Sequence, residues 1–78
     1  MISLLKQMES TLKYVLMDEY IELFKLLKVL DLVDSGAQAK FLVADGYVNR
    51  NGEVETRKRA KIRKGDVIEV ADVTIKVV

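Results

Sequence analysis

The chain has 78 residues, of which 50% are hydrophobic and 32% are charged, with a net charge of +1. This length allows one small domain with a thin core. Because the chain contains no Cys and no His, the sequence excludes disulfides, thiolate nucleophiles, sulfur-ligated metals and the commonest general base near neutral pH. The sequence also has no EF-hand spacing, P-loop or dinucleotide-binding fingerprint. An all-carboxylate magnesium or calcium site stays formally open, but we expect no catalytic residue, no bound metal, no cofactor and no small-molecule substrate.

The N-terminal segment lacks the apolar core and the cleavage site of a signal peptide. No apolar run approaches the roughly 20 residues that are needed to span a bilayer. These features predict a cytoplasmic protein that has no membrane partner. The spacing of apolar residues predicts a short helix over Ile2–Glu9, within an extension of residues 1–10 that packs back on the domain or mediates a homodimer.

The domain itself is expected to cover residues 11–78. It begins with a predicted strand over Leu12–Met17, where apolar residues alternate with other residues. Leucines then recur at the spacing i, i+3, i+4 and i+7, which predicts a helix over Glu22–Leu30 with a buried stripe.

A second helix is predicted over Gly36–Asp45. Ser35 and Gln38 have the spacing of a capping box, which marks the start of a helix. Gly46 follows the last helical residue, where a left-handed glycine commonly ends a helix. Phe41 is expected to pack beneath the hairpin that follows, and Tyr47 is expected to fill a sheet edge, rather than to stack on bases.

After Gly46 the hydrophobic period changes to two, which is typical of strands. Asn51-Gly52 lies between two such runs and predicts a tight hairpin over 47–56. Two further strands are predicted over 67–70 and 73–78. The fold class is therefore α+β, with two adjacent helices packed on a small, mostly antiparallel sheet.

Positive charge is concentrated in one segment of the chain. Residues 1–34 carry four Lys against six acidic residues, whereas six of the eight positions over Arg57–Lys64 are cationic and none is acidic. In a strand, one face of this segment would carry four cations: Arg57, Arg59, Lys61 and Arg63. The other face would carry Ala60 and Ile62, partly buried. Such a run is typical either of a charged edge strand that resists aggregation or of a site for a polyanion, and we favour the polyanion.

Four short motifs occur in a characteristic order: Ser35-Gly36-Ala37-Gln38-Ala39-Lys40, Asn51-Gly52, Glu55-Thr56-Arg57-Lys58 and Gly65-Asp66-Val67-Ile68. Their order and spacing resemble the RNA-binding domain named after small-subunit ribosomal protein S-four, over residues 12–78. Within that group the chain is most similar to small stand-alone bacterial proteins of the YaaA/YbcJ type. It departs from the general family at Gly36, where most members have Arg.

The resemblance implies a two-helix motif and a hairpin that together bind structured RNA, such as ribosomal RNA, without catalysis. The residues that we expect to bind RNA are Lys25, Lys28, Ser35, Gln38, Lys40, Arg57, Lys58, Arg59 and Lys61. Arg and Lys can contact phosphates, and the free N–H groups at a helix N-terminus can do the same. For Ser35 and Gln38, an ordinary helix cap is an equally good interpretation.

A second hypothesis is a protein-interaction module of the β-grasp kind, because small α+β domains with a Gly-Asp-x-Ile element also occur there. A carrier of that kind needs an extended Gly-Gly tail. The last residues here are Lys76-Val77-Val78, so we expect no carrier activity.

Overall fold

The computed structural model describes residues 10–78, so the predicted helix over Ile2–Glu9 lies outside the described residues. The described part contains two helices and seven strands. In chain order these are β1 (Ser10–Tyr14), β2 (Ile21–Glu22), α1 (Leu23–Val29), α2 (Gly36–Ala44), β3 (Val48–Arg50), β4 (Glu53–Val54), β5 (Lys61–Ile62), β6 (Val67–Val70) and β7 (Val73–Val77). The predicted α+β class is confirmed.

Five of these strands form one sheet in the order β1-β7-β6-β3-β4. β1 runs parallel to β7, and the other neighbours in this sheet are antiparallel. The predicted hairpin joins β3 to β4, and Asn51 and Gly52 have φ values of 53° and 87°. Positive φ at both central residues matches the right-handed twist of the flanking strands, which is why Asn-Gly is favoured here.

A separate two-stranded ladder lies beside the helices. Its strands, β2 and β5, pair Ile21 with Ile62 and Glu22 with Lys61. Because β2 leads directly into α1, this ladder attaches the cationic segment to the start of the first helix.

The core lies between the helices and one face of the sheet. The predicted leucine stripe is confirmed, since Leu23, Leu26 and Leu27 have no exposed surface. Ile68 and Ile75 pair across β6 and β7 and are also fully buried. Burial of each such side chain stabilises the fold by about 1.5–3 kcal/mol.

Residues before α2 cap its N-terminus as the sequence predicts. The Gln38 backbone N–H donates to Ser35 Oγ at 3.1 Å, and the Asp34 N–H donates to Gln38 Oε1 at 2.7 Å. The side chain of Gln38 thus reaches one residue further back than in the usual capping box. Gly46 has a φ of 86° and follows the helix end, which confirms the predicted stop.

The cationic run does not form the continuous strand that its alternation suggests. Only Lys61–Ile62 is a strand, and a turn occupies Lys58 and Arg59. The reason is that the N–H groups of Leu23 and Phe24 donate to the carbonyls of Ala60 and Lys58, each at 3.0 Å. The run therefore folds against the start of α1 and supplies acceptors for N–H groups that a helix start leaves unpaired.

The prediction that Phe41 packs beneath the hairpin is wrong, because its surface is 59% exposed. Ala39 and Val43 are fully buried, and Phe41 lies two residues from each. A displacement of two residues turns a side chain about 200° around a helix. Phe41 therefore faces away from the core that Ala39 and Val43 define.

Candidate nucleic-acid interface

Three of the predicted cations surround a single aromatic ring. Phe24, in the first turn of α1, is only 8% exposed. Lys40 Nζ lies 4.8 Å from the ring centroid, Arg59 Cζ lies 5.1 Å from it and Lys25 Nζ lies 6.0 Å from it. At these distances the face of the ring attracts a cation. The ring therefore holds side chains from α1, α2 and the turn before β5 in one cluster, which we call the Phe24 cluster.

Arg57 is held in place by the buried carboxylate of Glu55, which lies two residues earlier in the segment after β4. Its Nε and Nη2 each donate to a different oxygen of Glu55 at 2.9 Å, and its backbone N–H donates at 3.0 Å. Glu55 is 8% exposed, and the hydrogen bonds from Arg57 lower its pKa to about 2. The Arg57 side chain stays 73% exposed. This pair therefore orients a guanidinium that still faces solvent.

Arg50 ties the hairpin to the cationic segment, and the sequence did not single it out. Its Nη2 lies 2.9 Å from Asp66 Oδ2 and donates to the Lys61 carbonyl at 2.8 Å, while Nη1 lies 3.6 Å from Glu55. Burial alone would raise the pKa of Asp66, but hydrogen bonds from the Arg63 N–H, Asn51 and Arg50 lower it. The sequence marked Asp66 only as part of the Gly-Asp motif. It did not indicate that Arg50 is the partner of Asp66.

The hairpin and the cationic segment meet at a shallow surface depression. Its volume is about 400 Å³, and its lining consists of Arg50, Arg57, Arg59, Ala60 and Lys61. Arg59 belongs both to this depression and to the Phe24 cluster. The fold thus brings the predicted cations of the run together with those of the helices, although the run is not a strand.

The cationic surface continues past Lys61 to Tyr20. Lys61 Nζ lies 5.0 Å and Arg63 Cζ lies 5.9 Å from the centroid of the Tyr20 ring. Tyr20 was not among the predicted site residues, because it lies 41 positions before Lys61 in the chain. Pairing of β2 with β5 is what brings the two segments together.

Glu22 is a further carboxylate in this surface, in addition to Glu55 and Asp66. Arg59 Nη1 lies 3.2 Å and Lys25 Nζ lies 3.3 Å from Glu22 Oε1. Desolvation would raise the pKa of Glu22, but hydrogen bonds from Lys25 and Arg59 lower it. Glu22 therefore remains charged at neutral pH, where it holds two cations in position and offsets part of their charge.

Comparison with known proteins identifies the family of this chain. The sequence model of the S4 domain matches residues 14–78. The chain belongs to the S4 domain family. This result confirms the resemblance that the four motifs carry.

Individual S4 relatives cover most of the chain. YbcJ of Escherichia coli (strain K12) is 46% identical over 59 residues, which are 76% of this chain and 84% of YbcJ. A Bacillus subtilis (strain 168) protein, named as the probable ribosome maturation protein RlbA, is 36% identical over 52 residues, covering 67% of this chain and 73% of RlbA.

A solved structure is similar as well. The solution structure of E. coli YbcJ, described as revealing an alfaL motif involved in RNA binding, has a TM-score of 0.64 and 41% identity to this chain. The match covers 87% of this chain and 85% of that one. The fold of this S4 domain is therefore that of its relatives.

The other residues of this S4 domain that were predicted to bind RNA lie outside the Phe24 cluster and the depression beside Arg57. Lys28, on the exposed side of α1, and Lys58, in the turn before β5, are both exposed. Ser35 and Gln38 serve as the helix cap described above, and their contact with RNA stays a prediction. Over residues 10–78 of the S4 chain, no three acidic side chains gather as a metal site would require, and neither helix is long and apolar enough to cross a membrane.

Proposed function

We propose that this S4 domain protein binds structured RNA and performs no chemistry. The observation that carries the proposal is the convergence of Lys25, Lys40 and Arg59 on the buried Phe24 ring. Side chains from three separate segments are held there in one pattern of charge. Cations in fixed positions can match the spacing of phosphates in a folded RNA, whereas cations on a flexible tail must first be ordered.

RNA shape favours this kind of surface. The deep groove of an A-form helix is difficult for side chains to enter, so proteins bind double-stranded RNA mostly through phosphates and 2′-hydroxyls. The Phe24 cluster and the depression beside Arg57 would contact successive phosphates along one strand. Lys28 and Lys58 are exposed and lie close in sequence to Lys25 and Arg59. They would extend the same contact.

The relatives support an RNA ligand and suggest its class. The structure of YbcJ is described as containing a motif involved in RNA binding, and RlbA is named for ribosome maturation. We therefore propose ribosomal RNA, in the bacterial cytoplasm, as the ligand to test first.

The test is a fluorescence-anisotropy titration with a structured RNA hairpin and a duplex DNA of matched length, at two salt concentrations. We expect tighter binding to the RNA and a marked loss of affinity at the higher salt, because phosphate contacts release condensed counterions. Equal affinity for RNA and DNA would mean that the surface recognises charge alone. Absence of binding to either at low salt would contradict the proposal and favour a protein partner.

Gly36 provides a gain-of-function test. A Cβ at this position would lie 4.0 Å from Phe24 Cε2, an ordinary contact, so the backbone of Gly36 can carry a Cβ without a clash. Gly36→Arg, which introduces the residue that the family resemblance implies at this position, is expected to raise RNA affinity about fivefold to tenfold and to steepen the salt dependence by about one unit. The matched control is Ala37→Arg, which adds the same charge at the next, exposed position.

If both variants raised affinity equally, the gain would reflect net charge and would contradict a specific contact at Gly36. The same titration with the hairpin RNA measures both variants. Thermal unfolding should show only a small loss for either, since a cation in the first turn of a helix costs about 0.3–1 kcal/mol.

A further inference from the structure

Two aromatic rings in the described chain have cations over them, and only one of the two is accessible. Phe24 is 8% exposed, so a base cannot stack on it, whereas Tyr20 is 39% exposed. Phe41 and Tyr47 are more exposed than Tyr20. Over residues 10–78, however, no cation is found over either of these rings. Tyr20 thus combines an accessible ring with adjacent positive charge.

The strand pairing explains why the cations lie there. Ile21 pairs with Ile62, so Tyr20 lies one position further along, beside Arg63. Ile62 is fully buried, and its neighbours Lys61 and Arg63 therefore point to the exposed face. Each of these side chains can contact a phosphate on one side of a nucleotide whose base lies on the ring.

Space for a base adjoins the ring. A surface depression of about 620 Å³ is lined by Tyr20 together with Asp18, Glu19, Ile21, Glu22 and Lys25. Lys25 also belongs to the Phe24 cluster. The depression therefore connects the Tyr20 ring to the surface where the duplex would lie.

We propose that Tyr20 is a stacking platform for one unpaired base, and that the RNA ligand is a duplex with an unpaired nucleotide beside it. This inference rests on the proposed function and names its ligand class. Bases that leave a duplex can stack on aromatic side chains, and the RNA phosphates on either side would be held by Lys61 and Arg63. The Phe24 cluster would bind the paired part.

The experiment compares two RNA hairpins of the same stem, one fully paired and one with a single unpaired nucleotide. The intact protein is expected to bind the second hairpin about tenfold more tightly, in line with the free energy of one base–aromatic stack. Tyr20→Leu should abolish that preference, so that the variant binds the two hairpins with equal affinity. Tyr20→Phe should keep the preference, because stacking needs the ring and not the hydroxyl.

Tyr47→Leu is the matched control, since Tyr47 is 59% exposed and lies in an apolar groove with Leu42 and Val70. It should retain the preference of the intact protein. An intact protein that binds both hairpins equally, or a Tyr20→Leu variant that keeps the preference, would overturn the inference alone. An intact protein that binds neither hairpin would overturn the proposed function as well.

Discussion

Replacing Arg59 and Lys61 together by alanine is expected to weaken binding to a structured RNA by about 50-fold near 0.1 M salt. Each lost phosphate contact removes the release of roughly one counterion, so the slope of log affinity against log salt should fall by about two units. Arg59 links the Phe24 cluster to the depression beside Arg57, and Lys61 links that depression to Tyr20. Loss of both would therefore interrupt the surface at its centre.

The design avoids Arg57, whose removal would leave the buried Glu55 without its main partner. Glu22, the partner of Arg59, keeps Lys25 at 3.3 Å, so the double variant should fold with a stability loss below about 1 kcal/mol. The matched control is Lys13→Ala with Lys76→Ala. Lys13 and Lys76 are exposed and pair with each other across β1 and β7. Their substitution removes the same charge from a surface outside the candidate interface.

Anisotropy titrations at several salt concentrations measure both double variants. If the Lys13 and Lys76 pair weakened binding as much as the Arg59 and Lys61 pair, net charge would explain the effect. That result would contradict the proposal that RNA binds at the surface formed by Arg59 and Lys61.

The helices and the hairpin were predictable because their signals are local. The leucine stripe of α1, the Ser35 cap and the Asn51-Gly52 turn each involve residues only a few positions apart. The structure confirms these three features. The alternation within the cationic run is also a local signal, but the continuous strand that it predicts does not form. The carbonyls of Lys58 and Ala60 instead accept hydrogen bonds from N–H groups at the start of α1.

The arrangement of the candidate site depends on contacts between distant segments, which a single sequence does not reveal. Lys40, Arg59 and Lys25 were each predicted as separate cations, but nothing near them in sequence indicated that Phe24 gathers them. Likewise, the sequence predicted Arg50 only as the last residue of a hairpin strand. Its bonds to Asp66 and to the Lys61 carbonyl cross 16 and 11 positions.

Glu55→Gln is expected to destabilise the protein by about 2 kcal/mol near pH 7, because a buried carboxylate that accepts charged hydrogen bonds is replaced by an amide. Glu55 accepts three hydrogen bonds from Arg57 and lies 3.6 Å from Arg50. An amide would turn one donor group towards these N–H groups, which already donate. Urea denaturation measures the change in the free energy of unfolding.

The same contact predicts how stability depends on pH. The pKa of Glu55 falls from 4.5 to about 2 on folding, so the unfolded chain takes up a proton before the folded one does. The stabilisation is therefore complete above pH 4.5 and is lost as the pH falls towards 2. The difference in stability between the intact protein and Glu55→Gln should shrink from about pH 7 to about pH 3.

Glu69→Gln is the matched control, since Glu69 is an exposed carboxylate on β6. It should change stability by less than about 0.5 kcal/mol at either pH. A Glu55→Gln variant as stable as the intact protein at neutral pH would show that the bonds to Arg57 form without stabilising the fold. Arg57 would then be free to leave Glu55 for an RNA phosphate, and Glu55 would be a competitor for Arg57 rather than its support.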